Sequence, residues 1–106
     1  MNFTSLPLHE ALLAFVYVSW EAARGDLRLR PVGLPVHLLV FEGFTHLEFP
    51  RREHWGPSSS INTLAQPQEG IFEIGLQSGD LIRIESPHWS FIRKRVRYLR
   101  KFISLL

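Results

Sequence analysis

Most of the chain alternates between short apolar runs and turn residues, a spacing typical of an antiparallel sheet. Residues 13–20 are rich in aromatic and β-branched side chains, and residues 27–30 alternate Leu with Arg, as in a strand with one solvated face. The apolar faces match if Trp20 lies opposite Leu27 and if Glu21–Gly25 forms the turn, with its glycine at positive φ. These segments predict a first hairpin.

A second apolar segment covers residues 36–49 and is interrupted by Gly43. Its first part, Val36–Phe41, is almost wholly apolar and predicts a central strand that is covered on both faces. Alternation resumes with Leu47 and Phe49, so we expect one long strand that Gly43 breaks by a bulge or a tight turn.

The clearest element is a hairpin formed by Ile71–Leu76 and Asp80–Glu85. A three-residue loop, Gln77–Gly79, places its glycine in the left-handed position that such loops use. This register keeps apolar residues opposite one another and sets Glu73 opposite Arg83. A two-residue loop would mix the two faces, so the pattern favours three residues.

After Pro87 the hydrophobic period lengthens to three or four residues. Apolar residues recur at this spacing with basic residues between them, which predicts an amphipathic helix from about Trp89 to Leu106. The predicted fold class is therefore α+β: an antiparallel β-meander of six or seven strands with one C-terminal amphipathic helix packed on the sheet. We expect a single domain at 1–106, with a body at 1–86 and a basic tail helix at 87–106.

The cysteine content excludes some classes of function, and the distribution of charge suggests others. The chain has no Cys, which removes disulfides, thiolate zinc sites and cysteine nucleophiles. The net charge of +2 conceals an asymmetry, because residues 1–92 carry six Arg against ten acidic residues and the other six cations lie at 93–101. The apolar run at 11–20 is too short to cross a bilayer and no basic residue precedes it. We therefore expect no signal peptide, no transmembrane segment and a cytoplasmic location.

One loop has a composition that packing does not explain. Residues 51–62 combine two Arg, a His-Trp pair, a Gly-Pro break and three consecutive Ser before an Asn. Backbone N–H groups in such a turn can bind an anion, and the cations add charge. Alternatively, these are ordinary loop residues that hydrogen-bond their own backbone. The candidate partner-binding residues are Arg51, Arg52, His54, Trp55, Ser58, Ser59, Ser60 and Asn62.

The basic tail is a second candidate site. A basic helix interleaved with aromatic residues is typical of nucleic-acid binding, and cations in contact with phosphates give steep salt dependence. Alternatively, the apolar stripe of the helix covers the sheet and its cations face water. The candidate nucleic-acid-binding residues are Arg93, Lys94, Arg95, Arg97, Arg100 and Lys101.

Catalytic chemistry has the weakest support. The five His have no metal-ligand spacing, although His37 and His46 would approach each other if Gly43 reverses the chain. The Ser residues form no Gly-x-Ser-x-Gly elbow, and no phosphate-cradling glycine motif is present. We therefore name no catalytic residue, no metal ligand and no cofactor. A small hydrolase or nuclease ranks third among the hypotheses.

Two stretches carry a resemblance to a class of small bacterial proteins. They are Leu8–Leu13 leading to Val18–Glu21, and Pro50–Asn62 before the hairpin at Ile71–Glu85. Over about residues 6–86 the pattern resembles small β-rich bacterial proteins, some of which look like immunity proteins of toxin systems. The resemblance implies a non-enzymatic protein-binding module with a toxin as partner, and an acidic body suits a basic active site. A homodimer through an exposed strand edge is compatible with every hypothesis.

Overall fold

In the computed structural model, which describes residues 1–52 and 59–94, eight strands form two antiparallel four-stranded sheets. Sheet I has the strand order β1-β2-β3-β8, and sheet II has the order β4-β7-β6-β5. A 3-10 helix at Phe3–Ser5 precedes the strands, which are β1 (Leu12–Ser19), β2 (Arg24–Arg30), β3 (His37–Glu42), β4 (His46–Glu48), β5 (Ile61–Gln68), β6 (Ile71–Leu76), β7 (Leu81–Glu85) and β8 (His88–Arg93).

The core lies between the two sheets. The inner strands send every second side chain inward, which is the two-residue period of a half-buried strand. The rings of Phe41 on sheet I and Phe72 on sheet II meet with centroids 5.2 Å apart, so they join the two layers. The buried inward residues of the inner strands are Leu27, Leu29, Leu39, Phe41, Phe72, Ile74, Ile82 and Ile84.

The N-terminal segment is part of this core. Phe3 is 1% exposed, and its ring lies 4.9 Å from that of Phe72 and 5.6 Å from that of Trp89. It therefore contacts both sheets. Leu6 and Leu8 are buried as well, so the segment before β1 fills the space between the layers.

The predicted C-terminal helix is wrong over its described part. His88–Arg93 form β8, which pairs antiparallel with β3 and sets Phe91 opposite Leu39. Trp89 and Phe91 alternate with Ser90, and β3 supplies an edge for pairing, so a strand packs both half-buried aromatic side chains against the core. The α+β meander with a helix packed on its sheet is thus replaced by two stacked β-sheets. Residues 95–106, the rest of the predicted helix, lie outside the described residues.

Helical structure in the described ranges is confined to Phe3–Ser5. None of the helical structure there is long and apolar enough to cross a membrane.

At Gly43 the predicted long strand divides into two strands, which belong to different sheets. β3 lies inside sheet I, which confirms the predicted central strand, whereas β4 lies at an edge of sheet II. Gly43 has φ 75°, which glycine adopts without steric cost. The N–H groups of Gly43 and Phe44 both donate to the carbonyl of Ala23, at 2.8 and 3.1 Å. These bonds hold the segment between β3 and β4 against the β1–β2 turn.

The first hairpin forms, but its predicted register is wrong. Val16 lies opposite Leu27 and Val18 opposite Gly25, because the turn is tighter than expected. Ala23, at φ 52°, takes the positive φ that the sequence assigned to Gly25. Gly25 lies within β2, where an added Cβ would be 3.9 Å from Leu47.

The predicted hairpin of β6 and β7 is confirmed in detail. Glu73 lies opposite Arg83, and the apolar pairs share the other face. The Leu76 N–H donates to the Asp80 carbonyl at 2.9 Å, which closes the three-residue loop, and Gly79 has φ 98°.

Candidate partner-binding surface

The outer face of sheet II is charged. Arg83 lies 3.2 Å from Glu73 and 3.7 Å from Glu85. On the neighbouring strand, His46 Nε2 donates to Glu48 Oε1 at 2.6 Å. Ion pairs of this partly exposed kind contribute little to stability but keep a face solvated. This face is therefore an ordinary polar surface.

The outer face of sheet I is aromatic and aliphatic instead. The strand pairing sets Phe15 beside Arg28, Arg28 beside Leu38, and Leu38 beside Ile92, in one row across the four strands. Tyr17 lies two residues further along β1, on the same side. Phe15, Tyr17 and Ile92 are 50%, 56% and 44% exposed. We call these five residues the aromatic face.

The side chains of the aromatic face hold one another in place. The rings of Phe15 and Tyr17 stack with centroids 5.9 Å apart, and the Arg28 guanidinium carbon lies 5.7 Å from the centroid of Phe15. Arg28 Nε is buried and has no hydrogen-bond partner within the described part of the chain. An unsatisfied buried donor costs about 1–3 kcal/mol. Tyr, Phe and Arg are also enriched at protein interfaces.

A paired charge borders the aromatic face. Arg24 Nε donates to Asp26 Oδ1 at 2.8 Å. The hydrogen bond to Asp26 raises the pKa of Arg24 above its ordinary value, against a smaller opposing effect of burial. Arg24 therefore stays charged at any physiological pH, and Asp26 neutralises it.

The edge of sheet I adds to this surface. Over β1, Phe15, Val16, Tyr17 and Val18 are consecutive and between 37% and 56% exposed. Four exposed apolar side chains in sequence are unusual, because a strand commonly buries every second one. We call residues 15–19 the β1 edge.

The start of the predicted 51–62 loop is anchored to the β6–β7 turn. The backbone N–H of Arg52 donates to Asp80 Oδ1 at 3.1 Å, and the Ser78 hydroxyl donates to Asp80 Oδ2 at 3.1 Å. Ser78 and Asp80 are both 6% exposed, so this carboxylate holds the loop start. Arg51 and Arg52 are themselves exposed, as contact with a partner requires.

The end of the loop joins β1. The Leu13 N–H donates to the Ser59 carbonyl at 3.1 Å, and Leu12 forms an antiparallel bridge with Ser60. Asn62 is exposed, and its backbone and side-chain oxygens accept hydrogen bonds from two neighbouring side chains. The described end of the loop therefore lies against the edge strand of sheet I. The predicted loop extends too far, because Ile61 and Asn62 belong to β5.

The basic candidate residues are only partly described. Arg93 ends β8 and lies in the same row of sheet I as Leu13, three strand spacings or about 14 Å away. The Lys94 N–H donates to the Val36 carbonyl at 2.9 Å. Since side chains alternate along a strand, Arg93 and Lys94 do not share the cationic stripe that the predicted helix would give. The predicted site residues outside the described ranges are His54, Trp55, Ser58, Arg95, Arg97, Arg100 and Lys101.

The two central histidines lie apart. The His37 ring stacks on Phe91 at 4.4 Å, and its Nδ1 donates to the Pro35 carbonyl at 2.6 Å. His46 lies on the other sheet in its pair with Glu48. Across residues 1–52 and 59–94, no group of three or more His, Asp or Glu side chains is placed to hold a metal ion.

The sequence did not identify the aromatic face as a site. The apolar pattern of residues 13–20 predicts only a hairpin strand, with Val16, Val18 and Trp20 on one face. These residues are 37%, 47% and 83% exposed. The available signal was an apolar run without a single charge, but such a run is equally typical of a buried strand.

Comparisons of the chain with protein-family models, with curated proteins and with solved structures found no match. The geometry of the surface is what supports a functional proposal.

Proposed function

We propose that the protein is a non-enzymatic protein-binding module. Its partner contacts the aromatic face and the adjoining end of the 51–62 loop. The observation that carries the proposal is the run of exposed apolar side chains from Phe15 to Val18. Contiguous exposed apolar surface on a folded domain is typical of an interaction site. The loop belongs to the same surface because Ser59 and Ser60 lie against β1.

The contrast between the two outer faces supports this assignment. Sheet II covers its outer face with Glu73, Arg83 and Glu85, as a sheet in contact with water commonly does. Sheet I places Phe15, Tyr17 and Ile92 in the equivalent layer. Sheet I therefore has the more apolar outer face of the two sheets.

The chemistry of the aromatic face favours a protein over a nucleic acid. Asp26 neutralises Arg24, and the ring of Phe15 is engaged by Tyr17 and Arg28. A nucleic-acid platform instead combines open rings with unpaired cations along a groove. An arginine that packs on exposed aromatic side chains is typical of a protein interface.

A toxin as the partner stays a prediction that follows from the resemblance to immunity proteins. The excess of acidic residues over residues 1–92 supports it, because opposite charge speeds and orients docking.

Site-specific photo-crosslinking in the cells that naturally make the protein tests the proposal. A photoreactive phenylalanine analogue is placed at position 15, and the matched control carries it in place of Leu81, which is 45% exposed on sheet II. We expect position 15 to give a nuclease-resistant adduct with a protein of different sequence, which mass spectrometry distinguishes from an adduct between two copies of the chain. This adduct should be absent from position 81. Against the purified partner, Tyr17→Ala and Arg28→Ala should each weaken binding tenfold or more, as buried Tyr and Arg anchors do.

Three outcomes would contradict the proposal. The same adducts from both positions would indicate random collision. Adducts that nuclease removes would favour the nucleic-acid alternative. If both variants bind the captured protein with unchanged affinity, that protein does not bind through the aromatic face.

A further inference from the structure

Sheet edges are where β-proteins pair with other chains, and the described edges differ in how they are protected. β4 has three residues, and β5 contains Pro67 and two register irregularities. β8 ends in Arg93, which Lys94 follows. Short length, proline, bulges and charge are the devices by which edges avoid pairing. β1 has eight residues, no charge and no proline, and one irregularity near its start at Leu13–Phe15.

The start of β1, before the β1 edge, already has a partner within the chain. The Leu13 N–H donates to the Ser59 carbonyl on the side away from β2. Leu13, Val16 and Val18 share one face, since they lie opposite Leu29, Leu27 and Gly25. Residues on the same face of a strand also direct their backbone N–H and C=O groups to the same side of the strand. The N–H and C=O groups of Val16 and Val18 therefore point away from β2, as the Leu13 N–H does.

We propose that β1 pairs antiparallel with β1 of a second copy, about a two-fold axis at Tyr17. This register pairs Val16 with Val18 of the second copy, and Val18 with its Val16, through their outward N–H and C=O groups. Tyr17 then faces Tyr17 of the second copy, and Phe15 faces its Ser19. A register centred on Val16 would place Leu13 opposite Ser19, but the Leu13 N–H is already bonded to Ser59.

The composition of the β1 edge suits pairing with itself. A two-fold axis brings like residues together, so a charge near the axis would repel its own copy. Residues 12–20 contain no charged side chain. The register also keeps each face of the sheet on one side, because only same-face residues lie opposite one another.

The area that pairing can bury sets the strength of the dimer. Phe15 and Tyr17 each expose roughly 100 Å², and Val16, Val18 and Trp20 bring the exposed area to about 550 Å² per copy. The total of about 1,100 Å² lies below the ~1,600 Å² of a typical stable interface. We therefore expect a reversible dimer with a dissociation constant on the order of 10 µM or weaker.

Pairing would join the two copies of sheet I into one continuous eight-stranded sheet. The two aromatic faces would lie side by side across the axis, because Phe15 and Tyr17 project to the same side in both copies. The dimer would thus present a larger platform than one chain offers. The inference does not require that a different protein binds this platform.

Cysteine cross-linking of the full chain tests the register. The natural sequence has no Cys, so each variant carries a single thiol. Residues that face each other without exchanging hydrogen bonds have Cα atoms about 4.5 Å apart, which a disulfide can span. Under mild oxidation, Tyr17→Cys should form a covalent dimer at least tenfold faster than the Leu81→Cys control. Mixing Phe15→Cys with Ser19→Cys should give the mixed dimer faster than either variant alone gives its own.

Analytical ultracentrifugation between about 1 µM and 1 mM provides an independent measurement. The unchanged protein should dimerise as concentration rises. Val18→Pro removes an N–H that points away from β2, a change that edge strands tolerate, and should weaken the dimer at least tenfold. A monomer throughout the range, equal cross-linking of Tyr17→Cys and Leu81→Cys, or a dimer unaffected by Val18→Pro would each overturn the inference. In all these cases the binding of a different protein to the aromatic face would be unaffected, so the two proposals fail separately.

Discussion

Replacing Phe3 by Ala tests whether the residues before β1 are an integral part of the core. Phe3 is 1% exposed, and its ring contacts the rings of Phe72 on sheet II and of Phe41 and Trp89 on sheet I, at centroid distances of 4.9, 6.4 and 5.6 Å. Truncation would remove contacts with both layers at once. The backbone around it is a single short helical turn, Phe3–Ser5.

The expected cost follows from this burial. Truncating a buried Phe to Ala costs about 3–5 kcal/mol, because transfer free energy is lost and a cavity remains. The edge-to-face contacts with Phe72 and Trp89 place Phe3→Ala in the upper half of that range. Domains of this size have a free energy of unfolding of about 5–15 kcal/mol. The melting temperature should therefore fall by roughly 15–30 °C.

Urea unfolding followed by circular dichroism measures this cost. The control is Trp20→Ala, which removes a larger ring that is 83% exposed and touches Phe44 at 6.0 Å. We expect the control to lose less than about 1 kcal/mol. If Phe3→Ala costs no more than Trp20→Ala, the N-terminal segment does not hold the two sheets together and the reasoning is wrong.

Three further substitutions test single features by the shift in urea midpoint. Gly43→Ala should cost about 1–3 kcal/mol, because φ is 75° and the new Cβ would lie 3.1 Å from Pro87. An unchanged midpoint would mean that the backbone between β3 and β4 accepts a side chain at position 43. Asp80→Ala should cost about 1–3 kcal/mol by leaving the Arg52 N–H without its acceptor, and amide hydrogen exchange at Arg52 should rise. Glu73→Ala should cost less than about 1 kcal/mol, since its ion pair is partly exposed, and a larger loss would show that the charged face is structural.

Local patterns in the sequence were sufficient for the β6–β7 hairpin. Its loop length and the alternation on both arms allow only one register that separates apolar from charged residues. The same reasoning was not sufficient for the β1–β2 hairpin, where Ala23 rather than Gly25 adopts positive φ. The carbonyl of Ala23 binds two N–H groups at the Gly43 break, a contact between distant residues that no local pattern contains.

The segment after Pro87 shows how a local pattern can mislead. Apolar residues from Trp89 onward fit a helical period, yet Trp89, Phe91 and their neighbours also fit a strand. The free edge of β3 decides between them over the described residues, because pairing there satisfies the backbone and buries both rings.

The amino-acid sequence alone was enough to predict antiparallel strands, the central position of β3 and the β6–β7 register. Strand order, the division into two sheets at Gly43 and the exposure of Phe15 and Tyr17 come only from the tertiary structure. The physical reason is that an apolar strand has the same composition whether it is central or at an edge. Which of its faces meets water depends on pairing with residues far away in the sequence, and here that pairing places the apolar strand β1 at the edge of sheet I.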